Sequence, residues 1–312
     1  MCIKKENNMK KSLIIFSVFV FAVIGLKAQQ LPLYSQYMMN AFLLNPAIAG
    51  SVDYFPVRLT VRQQWVGITD APSTQAISGH YLFENMNFGL GGYLFNDKFG
   101  PMSRTGLQVC GAYHLKLSGI DSKLGIGLAL KAFQFKFDQS KLVIIDDNDP
   151  AINHGIITQV VPDADFGLYL YNSKYFVGVA ATQLIQLNID FGDSAVDKNQ
   201  IIRHYFSTAG YKFTLSDDFE IEPSLLFKAT FQTPSQVDIN CKAYYKKNYW
   251  LGVSYRSSKD IAIMLGVKVK KFYIGYAFDY TTSHLKDYSH GSHEILIGFN
   301  VTEGKNTGSS LL

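Results

Sequence analysis

The chain has 312 residues, of which 47% are hydrophobic, 14% aromatic and only 17% charged. The formal net charge of +4 is small and scattered, which excludes a nucleic-acid partner. Few charges and many Tyr and Phe, with no long apolar run beyond the start, disfavour a soluble enzyme and a helical membrane protein alike and fit a transmembrane barrel.

The start reads as a secretory signal peptide, residues 1–28. Lys10-Lys11 form a basic region, "SLIIFSVFVFAVIGL" is apolar, and Ala28 is a small residue suited to the position before the cut. A retained anchor is the alternative, but about 15 apolar residues fall short of the roughly 20 that a helix needs to cross a bilayer. Cys2 leaves with the signal. Cys110 and Cys241 fall on opposite strand faces, so both are expected unpaired.

Next comes "LPLYSQYMMNAFLLNPAIAGS", Leu31 to Ser51, within a plug or cap segment at 29–54. Ser35 is placed to cap a helix from about Gln36 to Leu44, which Asn45-Pro46 would stop. Its greasy surface, with Tyr37, Met38, Met39 and Phe42, suits free periplasm poorly. It is expected to plug or cap the periplasmic mouth of a barrel; a disordered lead-in is the bland alternative.

From Phe55 the dominant period is two. Val57, Leu59, Val61 and Trp65 alternate with Arg58, Thr60, Arg62 and Gln64, and "FYIGYAFDY" sets Phe272, Ile274, Tyr276, Phe278 and Tyr280 against Tyr273, Gly275, Ala277 and Asp279. Alternation of this length is the strand signature. It predicts about fourteen strands, near the 9–11 residues of a tilted membrane strand, over 55–66, 73–83, 86–97, 102–118, 122–137, 162–171, 174–184, 201–215, 218–231, 235–246, 248–257, 260–269, 271–282 and 291–301. Turns after even strands are short; those after odd strands are mostly longer, including "GITDAP", "NDKFGP", 138–161 and 185–200. The fold class is therefore all-β: an antiparallel outer-membrane β-barrel over 55–302 with a short N-terminal helical plug, followed by a polar tail at 303–312. A broad apolar face without helices to cover it must meet lipid.

The polar set then faces the lumen: Arg58, Arg62, His114, Lys116, Lys131, Glu222, Lys228, Asp238, Lys242, Asp279 and Glu294. Mixed signs suit a filled interior; a water-filled channel with a charged wall is the competing reading. No enzyme is expected. In "GSHE" the neighbouring Ser292 and His293 point to opposite faces, and "DDNDP" at 146–150 lacks the Gly and terminal Glu of a calcium loop. No catalytic residue, metal site or cofactor is predicted. Strand glycines such as Gly89, Gly91, Gly92, Gly125 and Gly127 read as bends and close-packing positions.

Four ordered motifs carry a resemblance. The segment "QLPLYSQYMMNAFLLNPAIAGS" holds Ser35, Gln36, Tyr37, Asn40, Asn45, Pro46 and Gly50. "VRQQWVGITDAPSTQAIS" holds Arg62, Gln64, Trp65 and Pro72. "FGLGGYLFNDKFGP" holds Asp97, and "YAFDYTTSHLKDYSHGSHEILIGF" holds Asp279, His293 and Glu294. Together they resemble the PorP/SprF family of the Bacteroidetes type IX secretion system along the whole mature chain. The resemblance implies a non-enzymatic outer-membrane component that supports secretion or surface anchoring of large proteins such as gliding adhesins. Its implied partners are periplasmic ring proteins, a large secreted surface protein and outer-membrane lipid. The alternative is a porin or hydrophobic-solute channel. One departure from outer-membrane barrels in general is that Phe299 closes the last strand while a polar tail follows.

Overall fold

The computed structural model describes residues 34–142, 155–189 and 199–302. The expected signal peptide, the start of the expected plug segment, "DDNDP" and the tail lie outside them. Among the described residues fourteen antiparallel strands close into a barrel. They are β1 (Pro56–Gln63), β2 (Ser73–Phe83), β3 (Phe88–Phe99), β4 (Met102–Leu117), β5 (Ser122–Asp138), β6 (Ile156–Tyr171) and β7 (Tyr175–Thr182), then β8 (His204–Tyr211), β9 (Phe219–Ala229), β10 (Gln236–Tyr245), β11 (Tyr249–Arg256), β12 (Asp260–Val269), β13 (Phe272–Thr281) and β14 (Ser292–Asn300). Closure is by β1 on β14, with Arg62 opposite Glu294, so every one of these strands has two neighbours.

Alternation along each strand sorts side chains between two solvents. On β5, Ala129 is 1% exposed whereas Leu128 and Leu130 are 56% and 62% exposed. An outward surface this apolar is stable only against hydrocarbon. Cys110 faces in and Cys241 faces out, and neither forms a disulfide.

One rim carries tight turns, several holding Asn or Asp in the left-handed region, as at Asn87 and Asp121. This rim faces the periplasm in outer-membrane barrels. The other rim is less uniform than expected. "NDKFGP" is not a loop: β3 runs through Phe99 and turns at Gly100–Pro101 into β4. Residues 257–259 also make a tight turn. β6 begins at Ile156, not 162, because it pairs with β5 out to Asp138, and its residues 156–165 run beyond its pairing with β7. The strand expected over 201–215 narrows to 204–211, with Phe213–Thr214 resuming after Lys212. Between β7 and β8 a two-residue ladder, Asn188–Ile189 on Asn199–Gln200, brings Ile189 and Ile201 onto Phe133, Phe135 and Val161 in a buried cluster on the long-loop side.

The expected helix over 36–44 is not formed. Three single 3-10 turns stand there instead: Tyr37–Met39, Ala41–Leu43 and Pro46–Ile48. Ser35 caps none of them, since its hydroxyl is bound to the barrel wall. Nor does Asn45-Pro46 end the helical segment. Asn45 caps the third turn by accepting from the Ala47 N–H, with Pro46 in the first turn, where its missing N–H is harmless.

Candidate functional site

The lumen is occupied by the chain's own segment from Tyr34 to Ser51, whose buried residues reach almost every strand. It enters the described structure high in the barrel, near the long-loop ends of β13, β14 and β1. The Ser35 and Gln36 N–H groups donate to the two carboxylate oxygens of Glu294 at 2.6 and 2.9 Å. The Ser35 hydroxyl donates to Asp279 at 2.6 Å and accepts from Arg62 at 2.7 Å. Arg62 also pairs with Asp279 at 2.7 Å and Glu294 at 3.3 Å, and Arg256 bridges Asp238 and Asp279 at 3.3 and 3.5 Å. Charges this deep are tolerated only with such partners. The segment supplies two backbone donors and one hydroxyl to this cluster.

Lower down, the segment crosses the lumen. Asn240 donates to the Tyr37 hydroxyl at 2.7 Å, and Lys242, paired with Glu222 at 2.8 Å, donates to the Met38 carbonyl at 3.1 Å. Burial pushes the Tyr37 phenol well above its ordinary range, so it stays protonated. Asn40 donates to Ser78 at 3.0 Å on the opposite wall.

Asn45 to Gly50 then lies against the wall near the tight-turn rim. Asn45 donates to the Leu168 and Val179 carbonyls at 3.0 and 3.3 Å. The Gly50 N–H donates to His80 at 3.1 Å, and His114 lies 2.7 Å from the Ala49 carbonyl. Glycines make this approach possible. A Cβ on Gly127 would lie 2.5 Å from the Ala47 Cα, and one on Gly167 would coincide with the Asn45 carboxamide. Both positions belong to neighbouring strands, so the wall offers bare backbone for the segment to lie on. Sequence reading noted close packing at Gly125 and Gly127 but missed its partner and missed Gly167. The signal available was glycine recurring on the inward phase of adjacent strands.

The family-motif residues thus divide by place. Ser35, Gln36, Tyr37, Asn40, Asn45, Pro46 and Gly50 lie on the inserted segment, and Arg62, Asp279 and Glu294 form its upper anchor. Asp97 is inward, bound by Thr74 at 2.6 Å and Arg104 at 2.9 Å. Gln64, Trp65 and Pro72 sit in the β1–β2 loop; Trp65 takes φ 44°, leaves the outward row expected of it, and donates its backbone N–H to the Ser292 hydroxyl at 3.1 Å. Pro72 accepts the Gln64 N–H at 2.8 Å. His293 faces outward, its ring 2.6 Å from the Tyr276 hydroxyl. Lys116, expected inside, is exposed, because it lies one residue from the end of β4, where the wall ends.

Above the segment remains a small cavity of about 60 Å³, bounded by Leu43 and Leu44 below and by Tyr93, Phe95, Phe133 and Phe206 on the wall. Lys131 pairs with Asp165 across it at 2.7 Å. Among the described residues no cluster of His, Cys, Asp or Glu is arranged to hold a metal ion.

The barrel is similar in fold to solved outer-membrane proteins. It matches the CymD monoaromatic hydrocarbon channel at TM-score 0.50 and 13% identity, covering 88% of this chain and 94% of that one. It matches the Acinetobacter baumannii outer membrane protein Omp33 at TM-score 0.48 and 8% identity, covering 80% and 99%. No curated protein matches the sequence. The family model of the type IX secretion system membrane protein PorP/SprF matches residues 26–299, and the chain therefore belongs to that family, as a non-enzymatic barrel of the outer membrane.

Proposed function

We propose that this barrel supports the secretion and surface anchoring of large proteins, such as gliding adhesins, from a lumen that is closed rather than conducting. One observation carries the reading: the segment 34–51 bridges the lumen from the Arg62–Asp279–Glu294 cluster to the glycine-lined wall, and the wall is built to receive it. A pore gains nothing from glycines that admit a plug, whereas an anchoring platform needs a barrel that leaks no solute. Periplasmic ring proteins would meet the tight-turn rim, and a large secreted protein would meet the loops at 139–155 and 183–203.

The competing reading is a porin or a channel for hydrophobic solutes, and the aromatic cavity under the long-loop rim favours it. Two measurements on one deletion strain and its purified protein separate them. Anchoring predicts that the strain loses large proteins from its surface and that the protein gives little steady current in a planar bilayer. Intact surface display together with a large, steady conductance refutes anchoring and leaves the channel.

A further inference from the structure

The tight-turn rim carries its charge unevenly. The β10–β11 and β12–β13 turns hold Lys246, Lys247, Lys270 and Lys271, with Lys268 beside them, and no acidic residue. The two turns are neighbours: β11 pairs with β12, and the Lys268 N–H donates to the Asn248 carbonyl at 2.6 Å. The other four turns and the strand ends beside them carry Glu84, Asp121, Asp217 and Asp218 against Lys116, Lys123 and Lys174, with Lys212 and Glu220 buried. Among the described residues Lys246, Lys247, Lys268 and Lys270 form no ion pair.

The backbone shows that these lysines are placed at a cost. The Asn248 N–H closes a turn on the Tyr245 carbonyl at 3.2 Å, and the two central residues, Lys246 and Lys247, take φ 52° and 55°. Lys270 also takes φ 55°. Gly, Asn and Asp occupy such left-handed positions with least penalty, and Asn87 and Asp121 do so on the same rim. Lysine there gains the fold nothing, so the conformation is borne for the charge. The charges also point below the barrel more than sideways. The outward rows of these strands end on Tyr245, Tyr249, Val269 and Phe272, which meet the bilayer. Lys268 lies on the inward row, its ammonium 5.3 Å from the centre of the Tyr273 ring, and Tyr273 is 8% exposed. Of the four, Lys246 alone leans over an outward ring, Tyr245, at 5.3 Å. Lipid headgroups surround a barrel on every side and would call for lysines all round the rim.

We infer that this sector docks an acidic surface of a periplasmic protein, which lies across the two turns and pairs its carboxylates with Lys246, Lys247, Lys268 and Lys270. The inference rests on the reading in which the tight-turn rim meets periplasmic proteins, and adds the sector they meet and the charge they bring. Unpaired charges of one sign draw an opposite surface from a distance and fix its register, and the attraction falls as salt screens it.

The test uses the full mature protein in detergent, with folding checked by heat-modifiable migration. The probe is a fluorescein-labelled oligoglutamate peptide, read by anisotropy. The wild type is expected to bind it saturably at low salt. A four-site variant takes the residues such turns favour: Lys246→Asn, Lys247→Gly and Lys270→Asn, with Lys268→Gln. It is expected to bind about tenfold more weakly while its thermal midpoint stays the same or rises. Arginine at all four positions should keep the binding. The control Lys116→Gln/Lys123→Gln/Lys174→Gln, from the other turns, should change it by less than about twofold. Equal binding by the wild type and the four-site variant overturns the inference, and so does an equal loss in the control. Should the four-site protein fail to fold, Lys246→Asn/Lys247→Gly alone decides, with a loss of about threefold expected and no loss overturning the inference. Native mass spectrometry with added phosphatidylglycerol tests the lipid alternative. Adducts present in the wild type and lost only in the four-site variant would give the sector to headgroups and overturn the inference; equal adducts in both support it. In a strain lacking the barrel, the four-site variant should restore display of large proteins less well than the arginine variant. Full restoration by both overturns docking at this sector while leaving the anchoring reading in place.

Discussion

The Ala47 Cα sits where Gly127 has no side chain: a Cβ on that glycine would lie 2.5 Å away, closer than real Cβ atoms approach. Two stretches about eighty residues apart in sequence are thereby made complementary, one through what it lacks. Gly127→Val is expected to leave the barrel folded, since the strand itself accepts Val readily. It should push the segment off the wall at a cost of about 1–3 kcal/mol, as overpacking does. The check is labelling of a cysteine at position 47, placed in a background without the native cysteines. It should be protected in the wild-type wall and reactive in the Gly127→Val protein.

Glu294 receives two backbone N–H groups and one arm of Arg62. Glu294→Leu leaves Arg62 with only part of its compensation and both N–H groups without acceptors. A loss of about 3–5 kcal/mol is expected, read as a lower thermal midpoint in detergent. The double variant Arg62→Leu/Glu294→Leu should lose less than the sum of the two singles, because each single change strands the other's partner.

The outward face makes a separate prediction. Leu128 projects from the middle of β5 and is 56% exposed. If that face meets acyl chains, Leu128→Arg should cost about 2–4 kcal/mol in urea unfolding from lipid vesicles, as cations do near the midplane. Leu128→Phe should be nearly neutral. Equal effects of the two would mean that the face does not meet hydrocarbon.

Much of the wall was legible because alternation is a local property. Of the eleven charged or His residues assigned to the lumen, nine are under 9% exposed, and Lys131 is 9% exposed. Lys116 failed because phase says which face a residue is on but not where the wall ends. Insertion into the barrel was anticipated, but not its extent or form: the segment does not merely cap the periplasmic mouth but runs from the long-loop ends of β13, β14 and β1 down to the tight-turn rim. The Ser35 cap and the Asn45-Pro46 stop suggested one short apolar helix over 36–44, yet Asn40 at φ −148° breaks the backbone between two turns, and its side chain reaches Ser78. Ser35 looked like a cap because its real partners, Asp279 and Glu294, lie 244 and 259 residues away. Nothing near Ser35 in sequence announces them.

The loop between β5 and β6 supplies a test of cargo contact. With β6 beginning at Ile156, the loop can be shortened without touching a strand. Deleting 141–154 is expected to leave heat-modifiable migration intact while reducing surface display of large secreted proteins. Undiminished display would place the contact at another loop.

The placement of the segment inside the barrel is tested most directly by joining it to the wall. Asn40 and Ser78 are bonded side chain to side chain at 3.0 Å. In a protein lacking Cys110 and Cys241, the pair Asn40→Cys and Ser78→Cys should oxidise to a disulfide in intact outer membranes, seen by mass spectrometry of the peptide pair. Failure to cross-link, with the cysteine at 40 open to a membrane-impermeant maleimide, would contradict a segment seated in the lumen.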